Sequence, residues 1–380
     1  MSSRLPLTER LHKQMRMPKE LIAGTVSQGS FSTNDSALRY YYFPDAELNK
    51  ELNLSTGFGA YRSKVELDNH LDAVLEGLME YEKLHGRTEA HIITWRGILT
   101  SILHLAYKPT DPIHLYVQNF DGQIFMAHNH AAQMEERAKQ ATHIMNNQFM
   151  YCGYNFEKFA TLDKPWGQCT REEIESRYKG TYQHGEEYTT IVSSGIGQIK
   201  MVYGAEVDSV EGEKDPKDLL GRYVEFKTTA SITNVKQAHV FEQKLARSWA
   251  QSFLVGTKKI VYGFRGRDFR LQAVEEYEVD KLPKLIKNCA LPDNQKWNGK
   301  DMLAFLAVFV SWLVDTAQPN KCYSLTYTPN SQFLELKPVE LSFDKRHGIL
   351  PASFVKWRVD QARAAQNFNE DGTQLDSETM

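Results

Sequence analysis

The sequence predicts a mixed-sheet α/β or α+β fold, on three observations. Period-two alternation of apolar residues recurs in short runs, at Ile92–Trp95, Ile113–Phe120, Gly197–Val210 and Arg222–Thr229. A helical stripe of period 3.6 follows the last two of these, over Gln237–Leu254. Beyond Thr189 the texture runs strand, loop, strand, helix, strand, without the strict βαβ rhythm of a doubly wound parallel sheet. The chain has 380 residues, 41% of them hydrophobic, enough for a large core. No repeat or low-complexity linker divides it. A single domain over residues 1–364 is expected, followed by an acidic, polar tail (365–380) of disordered composition.

Taken in order, the segment up to Arg62 reads as irregular apart from a strand-like "ALRYYYFP". Val65–Leu84 carries apolar residues at helical spacing (Val65, Leu67, Leu71, Val74, Leu75, Leu78). After two strands and a third near Gln123–Ala127, Ala131–Met150 has no Gly or Pro to break a helix. The strands at 197–210 and 222–229 are joined by the turn-rich "EGEKDPKDLLG", and the helix after them should close at Gly256. Lys259–Phe264 is the next strand. Met302–Val314 ("MLAFLAVFVSWLV") falls short of the roughly 20 apolar residues a bilayer span needs and reads as a core helix.

Charge and cysteine usage narrow the function. Lys plus Arg number 45 against 48 for Asp plus Glu, a net charge of −3, so nucleic-acid binding would have to be local to a cleft. Cys152, Cys169, Cys289 and Cys322 lie far apart without C-x-x-C spacing, which argues against a zinc site or a disulfide framework. The N-terminal stretch is polar and basic with no apolar signal core, so a soluble intracellular protein without membrane association is expected. H-E-x-x-H and G-x-S-x-G motifs are absent, "SSGIGQ" lacks the Lys-Ser/Thr of a P-loop, and His128 and His130 have no evident third ligand.

The chemistry-bearing pattern is "GAEVDSVE" followed by "GRYVEFKTTA". On a strand, Glu206 and Asp208 at i and i+2 point the same way and repel each other. In the second run Glu225 and Lys227 share a face opposite Val224 and Phe226. Pairing of the two strands would bring three carboxylates and an ammonium together, a donor set suited to Mg²⁺ or Mn²⁺. Two such ions about 4 Å apart can activate a water and steady a leaving oxygen in phosphoryl hydrolysis. A wet two-stranded ribbon with Lys227 paired across it accounts for the same residues. In the following helix, Phe241, Leu245, Trp249 and Phe253 form a core stripe, and Lys244, Arg247 and Gln251 fall on a neighbouring face. That row could hold phosphate oxygens, or it is simply a solvated face. Glu157 lies among aromatics in "CGYNFEKFA", and Arg96 follows Trp95 at a strand end, where it could clamp a phosphate or form an ordinary ion pair.

An ordered set of segments resembles the DXO family of RNA 5′-end decapping nucleases, including its fungal members that partner the nuclear 5′–3′ exoribonuclease. It comprises "LRYYY" (38–42), "LSTGF" (54–58), "WRGILT" (95–100), "GYNFE" (153–157), "EVD" (206–208), "EFK" (225–227), "KLARSWAQSFLVG" (244–256) and "GF" (263–264). One departure follows, where Gly266 and Arg267 precede Asp268 and put a peripheral contact in doubt. The resemblance implies one domain of two β-sheets with flanking helices and a deep active-site cleft. It implies that Glu157, Glu206, Asp208 and Glu225 bind two divalent ions, Mg²⁺ or Mn²⁺, with Glu157 acting through water. Lys227 and Gln251 would contact the scissile phosphate, and Arg96 would grip RNA near its 5′ end. The implied activity is hydrolysis of abnormal RNA 5′ ends: pyrophosphate release from 5′-triphosphate RNA, removal of unmethylated or NAD caps, and in some members 5′→3′ exonuclease action. The implied partners are single-stranded RNA 5′ ends and the nuclear exoribonuclease, with a nuclear location. A mainly non-catalytic subunit stabilising that exoribonuclease, and a DNA endonuclease with the same acid and lysine pattern, are the alternatives.

Overall fold

A computed structural model of the chain describes residues 2–63, 68, 70–141 and 144–375, with side chains 137, 139–141, 144 and 364–375 excepted. The early strands are β1 (Ser3–Pro6), β2 (Met15–Ser27), β3 (Ser30–Ser32), β4 (Tyr40–Tyr41), β5 (Ile92–Trp95), β6 (Ile113–Phe120), β7 (Gln123–His128) and β8 (Thr161–Leu162). Then come β9 (Glu187–Ile196), β10 (Ile199–Glu206), β11 (Ser209–Val210), β12 (Tyr223–Ala230), β13 (Lys259–Arg265), β14 (Leu271–Glu278), β15 (Cys322–Tyr327) and β16 (Phe333–Val339). Among the described residues, ten form one sheet in the order β1-β16-β15-β6-β7-β5-β10-β9-β2-β3, and six form a second, β14-β13-β12-β11-β4-β8. Both are mixed. β5 runs parallel to β7 and β10, and β12 parallel to β13, inside otherwise largely antiparallel ladders.

The helices are α1 (Asp72–His85), α2 (Arg96–Leu105), α3 (His130–Ala141), α4 (Ile144–Phe159), α5 (Arg171–Ser176), α6 (Leu219–Arg222), α7 (Val235–Val255), α8 (Leu282–Asn288), α9 (Gly299–Thr316) and α10 (Ala352–Leu375). Alternation along the strands distributes them. Ile92, Met201 and Tyr203 enter a core with Ile98 of α2, Leu245 of α7 and Phe305 of α9, while Ile93 and Val202 join α1 and α10 on the other face. β13 repeats the pattern: Ile260 and Tyr262 face the α7 core, and Val261 faces Phe156 and Phe159 of α4. The α2/α7/α9 core thus lies between the two sheets. Each fully buried aliphatic or aromatic side chain there contributes about 1.5–3 kcal/mol.

Most sequence expectations hold in place. α7 starts two residues early, with the Asn234 side chain accepting from Gln237 N–H at 3.0 Å, and ends where Gly256 takes φ 86°. α9 is the buried helix expected at 302–314. The N-terminal segment is a correction, because β2 is a 13-residue strand where irregular chain was expected. Its register shifts between Arg16 and Lys19, and again between Glu20 and Ile22, so Pro18 falls at an irregularity of the ladder. A second correction concerns 197–210. Gly197 is a turn, and the strand breaks after Glu206, so β10 belongs to the large sheet and β11 to the small one. Val65 and Leu67 of the first helical stripe lie outside the described residues, and α1 begins at Asp72. α10 runs to Leu375, into the segment read as a tail, and 376–380 lie outside the described residues.

α10 is tied to α1 by a buried cluster. Glu82 accepts from Thr88 N–H at 2.9 Å, from Thr88 Oγ1 at 2.6 Å and from Arg358 Nη2 at 3.1 Å. Arg358 is only 3% exposed. Glu82→Ala would leave a buried guanidinium without its carboxylate, a loss of about 3–5 kcal/mol. Urea unfolding should show a correspondingly lower midpoint, and an unchanged midpoint would refute the tie.

Candidate active site

The candidate residues gather where the chain passes from one sheet to the other. Glu206 closes β10 at the end of the large sheet, and Val207 and Asp208 make the crossing. β11 then pairs antiparallel with β12, Ser209 opposite Val224, and the Phe226 N–H donates to Asp208 Oδ2 at 2.7 Å. Glu206 and Asp208 therefore do not share one uninterrupted strand, as the sequence suggested. They sit on either side of a sheet switch, and the switch brings Asp208 beside Glu225. The expected alternation in β12 is present, with Val224 and Phe226 in the α4 core and Glu225 and Lys227 turned away from it.

Glu225 is 4% exposed and held by two cations. Arg96, the first residue of α2 after β5 ends at Trp95, donates from Nη1 at 2.9 Å to Oε2, and Lys227 Nζ donates to Oε1. Burial alone would raise the Glu225 pKa. Lys227 and Arg96 overcome it and bring it down to about 2. Lys227 would be lowered by burial but is raised by Glu225 and Asp208, so it remains an ammonium. The other acids go the opposite way. Burial, then the Glu225 charge, pushes Asp208 up to about 7. Burial, then Asp208 and Glu206, holds Glu157 well above the carboxylate range. Glu157, Glu206 and Asp208 share the lining of a cavity of about 510 Å³ with Arg39 and Tyr182.

This donor set fits a hard divalent cation. Carboxyl groups come near one another from α4, the end of β10, the crossing and β12, and the raised pKa values of Glu157 and Asp208 follow from burial first and from neighbouring acids second. Arg96 Nε, buried without a protein partner, is a donor still to be used. As placed, no group of three Asp, Glu, His or Cys side chains among the described residues is arranged to hold a metal ion, and Glu225 is turned onto its two cations.

Much of the quoted motif set supports this site structurally. Asn155 Nδ2 donates to the Leu54 carbonyl at 3.1 Å and Tyr151 Oη to the Thr56 carbonyl at 2.6 Å, tying "LSTGF" to α4. A Cβ at Gly263 would come within 3.0 Å of the Phe156 ring, so the small residue lets α4 approach β13. Tyr40 pairs with Val210, and the Val210 N–H donates to the Arg39 carbonyl at 2.9 Å, fixing the chain just after Asp208. Of the helix row, Arg247 pairs with Asp111 at 2.8 Å on the surface, Lys244 is exposed, and Gln251 lies half-buried one turn beyond Arg247. A second cavity of about 360 Å³ lies beside α2, lined by Arg247 and by His104, which burial lowers to about 4.

Sequence reading missed an aromatic cluster. Tyr154, one turn before Glu157, stacks on Tyr182 with centroids 5.1 Å apart and planes at 9°. His184 stands edge-on to both rings, and its Nε2 is 2.6 Å from Tyr61 Oη. Only the tyrosine content of the surroundings hinted at it, because the contact joins residues 28 positions apart in sequence.

A profile of RAI1-like PD-(D/E)XK nucleases matches residues 16–355. The chain belongs to that family. It is 35% identical over 364 residues to the decapping nuclease RAI1 of Debaryomyces hansenii, covering 91% of this chain and 94% of that one. The fold is similar to Candida albicans Rai1 in complex with pU5-Mn²⁺ (TM-score 0.87, 32% identity, 95% and 99% of the two chains). It is also similar to Scheffersomyces stipitis Rai1 in complex with (3′-NADP)⁺ and calcium ion (TM-score 0.85, 30% identity, 94% and 100%).

The opposed titrations yield a test on chelated protein. Asp208 binds its proton more tightly folded (about 7) than in an ordinary carboxyl (3.8), so its contribution is intact below pH 4 and is lost as pH rises through 7. Asp208→Asn should therefore raise stability at pH 7.5 by about 1–3 kcal/mol, and the gain should shrink as pH falls towards 4. Urea unfolding of both proteins in EDTA across that range checks it, and a destabilised amide variant at pH 7.5 would refute the charge clash.

Proposed function

We propose that this protein is a divalent-metal-dependent hydrolase of RNA 5′ ends, formed as one decapping-nuclease unit over residues 1–364. The observation that carries it is the sheet crossing, which brings Glu157, Glu206, Asp208 and Glu225 together with Lys227 and Arg96. Glu157, Glu206, Asp208 and Glu225 would hold Mg²⁺ or Mn²⁺, two ions in the expected arrangement. Bound there, such ions supply Lewis-acid stabilisation of the phosphate and an activated water.

The protein's own part is positioning and charge. Asp208 keeps one oxygen on the Phe226 N–H, so its carboxylate is oriented before substrate arrives. Lys227, an ammonium beside Glu225, donates to a non-bridging phosphate oxygen and offsets the charge that grows on it during attack. Arg96 holds Glu225 with one nitrogen, and its grip on RNA near the 5′ end is assigned from the family resemblance. Gln251 is assigned to the same phosphate from the family resemblance. The cavity is itself acidic, so bound divalent cations would have to offset its carboxylates before an RNA 5′ end approached, which would confine binding to the metal-loaded site in a chain of net charge −3.

Relatives named decapping nuclease RAI1 and the pU5-Mn²⁺ complex of Candida albicans Rai1 support the RNA reading over a DNA endonuclease. We extend it to triphosphate, unmethylated-cap and NAD-cap ends, to possible 5′→3′ exonuclease action, and to a nuclear setting beside the 5′–3′ exoribonuclease; for these finer points the support is the family resemblance. A mainly stabilising subunit is the second reading. It is disfavoured because buried, mutually repelling carboxylates cost stability that a scaffold has no reason to retain.

With Mn²⁺ or Mg²⁺, the protein should release pyrophosphate from 5′-triphosphate RNA. Glu206→Ala/Asp208→Ala should lose about 10³-fold or more of that rate, as should chelation of the metal. Product analysis on triphosphate, capped and monophosphate RNA checks it. Native protein inert on all three would overturn the catalytic reading in favour of the subunit role.

A further inference from the structure

We infer that Tyr182 is the platform on which the ring of a 5′-terminal nucleotidyl group stacks, which makes it a specificity-determining residue for what this site removes. The inference rests on the hydrolase reading above. Tyr182 lines the cavity that also exposes Glu157, Glu206 and Asp208, whereas Tyr154 does not line it. Tyr154 lies parallel behind Tyr182 at 5.1 Å, so the next layer of this stack falls in the cavity. The platform is rigid. His184 braces both rings edge-on, at 4.9 Å and 5.3 Å, and is itself held by Tyr61. A ring that need not be ordered on binding loses little entropy, and base–aromatic stacking is tolerant of base identity.

Charge argues for a ring on this side of the acids and against the RNA body. The lining contains seven carboxylates (Asp and Glu) against four cations (Lys and Arg). Three of the cations are engaged locally. Arg177 pairs with buried Glu47, Lys164 with Glu173, and Lys158 with the carbonyls of Lys179 and Gly180. Arg39 differs, because its partner Asp163 is 79% exposed and the pair is screened by water. A run of phosphates would be repelled here. A single nucleotidyl group, with its ring on Tyr182 and a phosphate reaching Arg39, matches both the charge and the volume of about 510 Å³.

The test compares one RNA body carrying either a 5′-triphosphate, whose leaving group has no ring, or an unmethylated guanosine cap, whose leaving group does. The ratio of kcat/KM for capped over triphosphate RNA should fall about tenfold in Tyr182→Ala and return to within about twofold of native in Tyr182→Phe. A purely structural tyrosine would lower both substrates together and leave the ratio unmoved, which overturns the inference. Should the alanine variant fail to fold, Tyr182→Trp provides the second readout. Guanosine cap dinucleotide should quench emission beyond that of native protein, and absence of that extra quenching overturns the stacking. Native protein inert on both RNAs sinks this inference, and if it is inert on monophosphate RNA as well the hydrolase reading falls with it, whereas an active native enzyme with an unmoved ratio sinks only this one.

Discussion

The site depends on one buried contact, the carboxylate of Glu225 held between Arg96 and Lys227. Arg96 starts the helix that follows a central strand of the large sheet, and Glu225 and Lys227 lie on the small sheet. The ion pair therefore joins the two sheets at the place where the chain crosses between them. Burying these charges is costly unless each is paired, so the geometry of the crossing is tightly specified. Asp208 is placed by the same crossing through the Phe226 N–H, and Glu157 is brought in by an α4 whose side chains are tied to the 54–58 loop and packed against Gly263.

That contact also sorts the acids by charge state. Glu225, with two cations, stays ionised, while Asp208 and Glu157, with little compensation, are pushed towards protonation. Such a division leaves carboxyl groups without a cationic partner on the cavity side, where a divalent cation could take the place of their protons. The folded protein keeps this clash at some expense in stability, as sites shaped for binding commonly do. The same cavity is also lined by Tyr182, which is backed by Tyr154, and by Arg39, whose ion pair is water-screened. A substrate entering it would meet the carboxyl groups and the Tyr182 ring in the same cavity.

The sequence makes the mixed-sheet class legible, together with the α7 helix and its glycine stop, the buried α9, and the shared face of Glu225 and Lys227. These are local, periodic signals. The long strand β2 is hidden, because Pro18, Gly24 and scattered charges disguise a strand that the register shifts accommodate. The break after Glu206 is hidden too, since "IKMVYGAEVDSV" alternates straight through a switch that only the second sheet's pairing reveals. Arg96 was legible as a strand-end arginine but not as the partner of Glu225, 129 residues away. The Tyr154–Tyr182 stack has no periodic signature at all.

The central claim is that the crossing assembles a site for divalent cations, and metal binding tests it more directly than turnover. Calorimetric titration of Mn²⁺ into the intact protein should show saturable binding that is lost in both Asp208→Asn and Glu225→Gln, with both variants remaining folded by circular dichroism. Binding of undiminished affinity in the two variants would place the metal elsewhere and contradict the account.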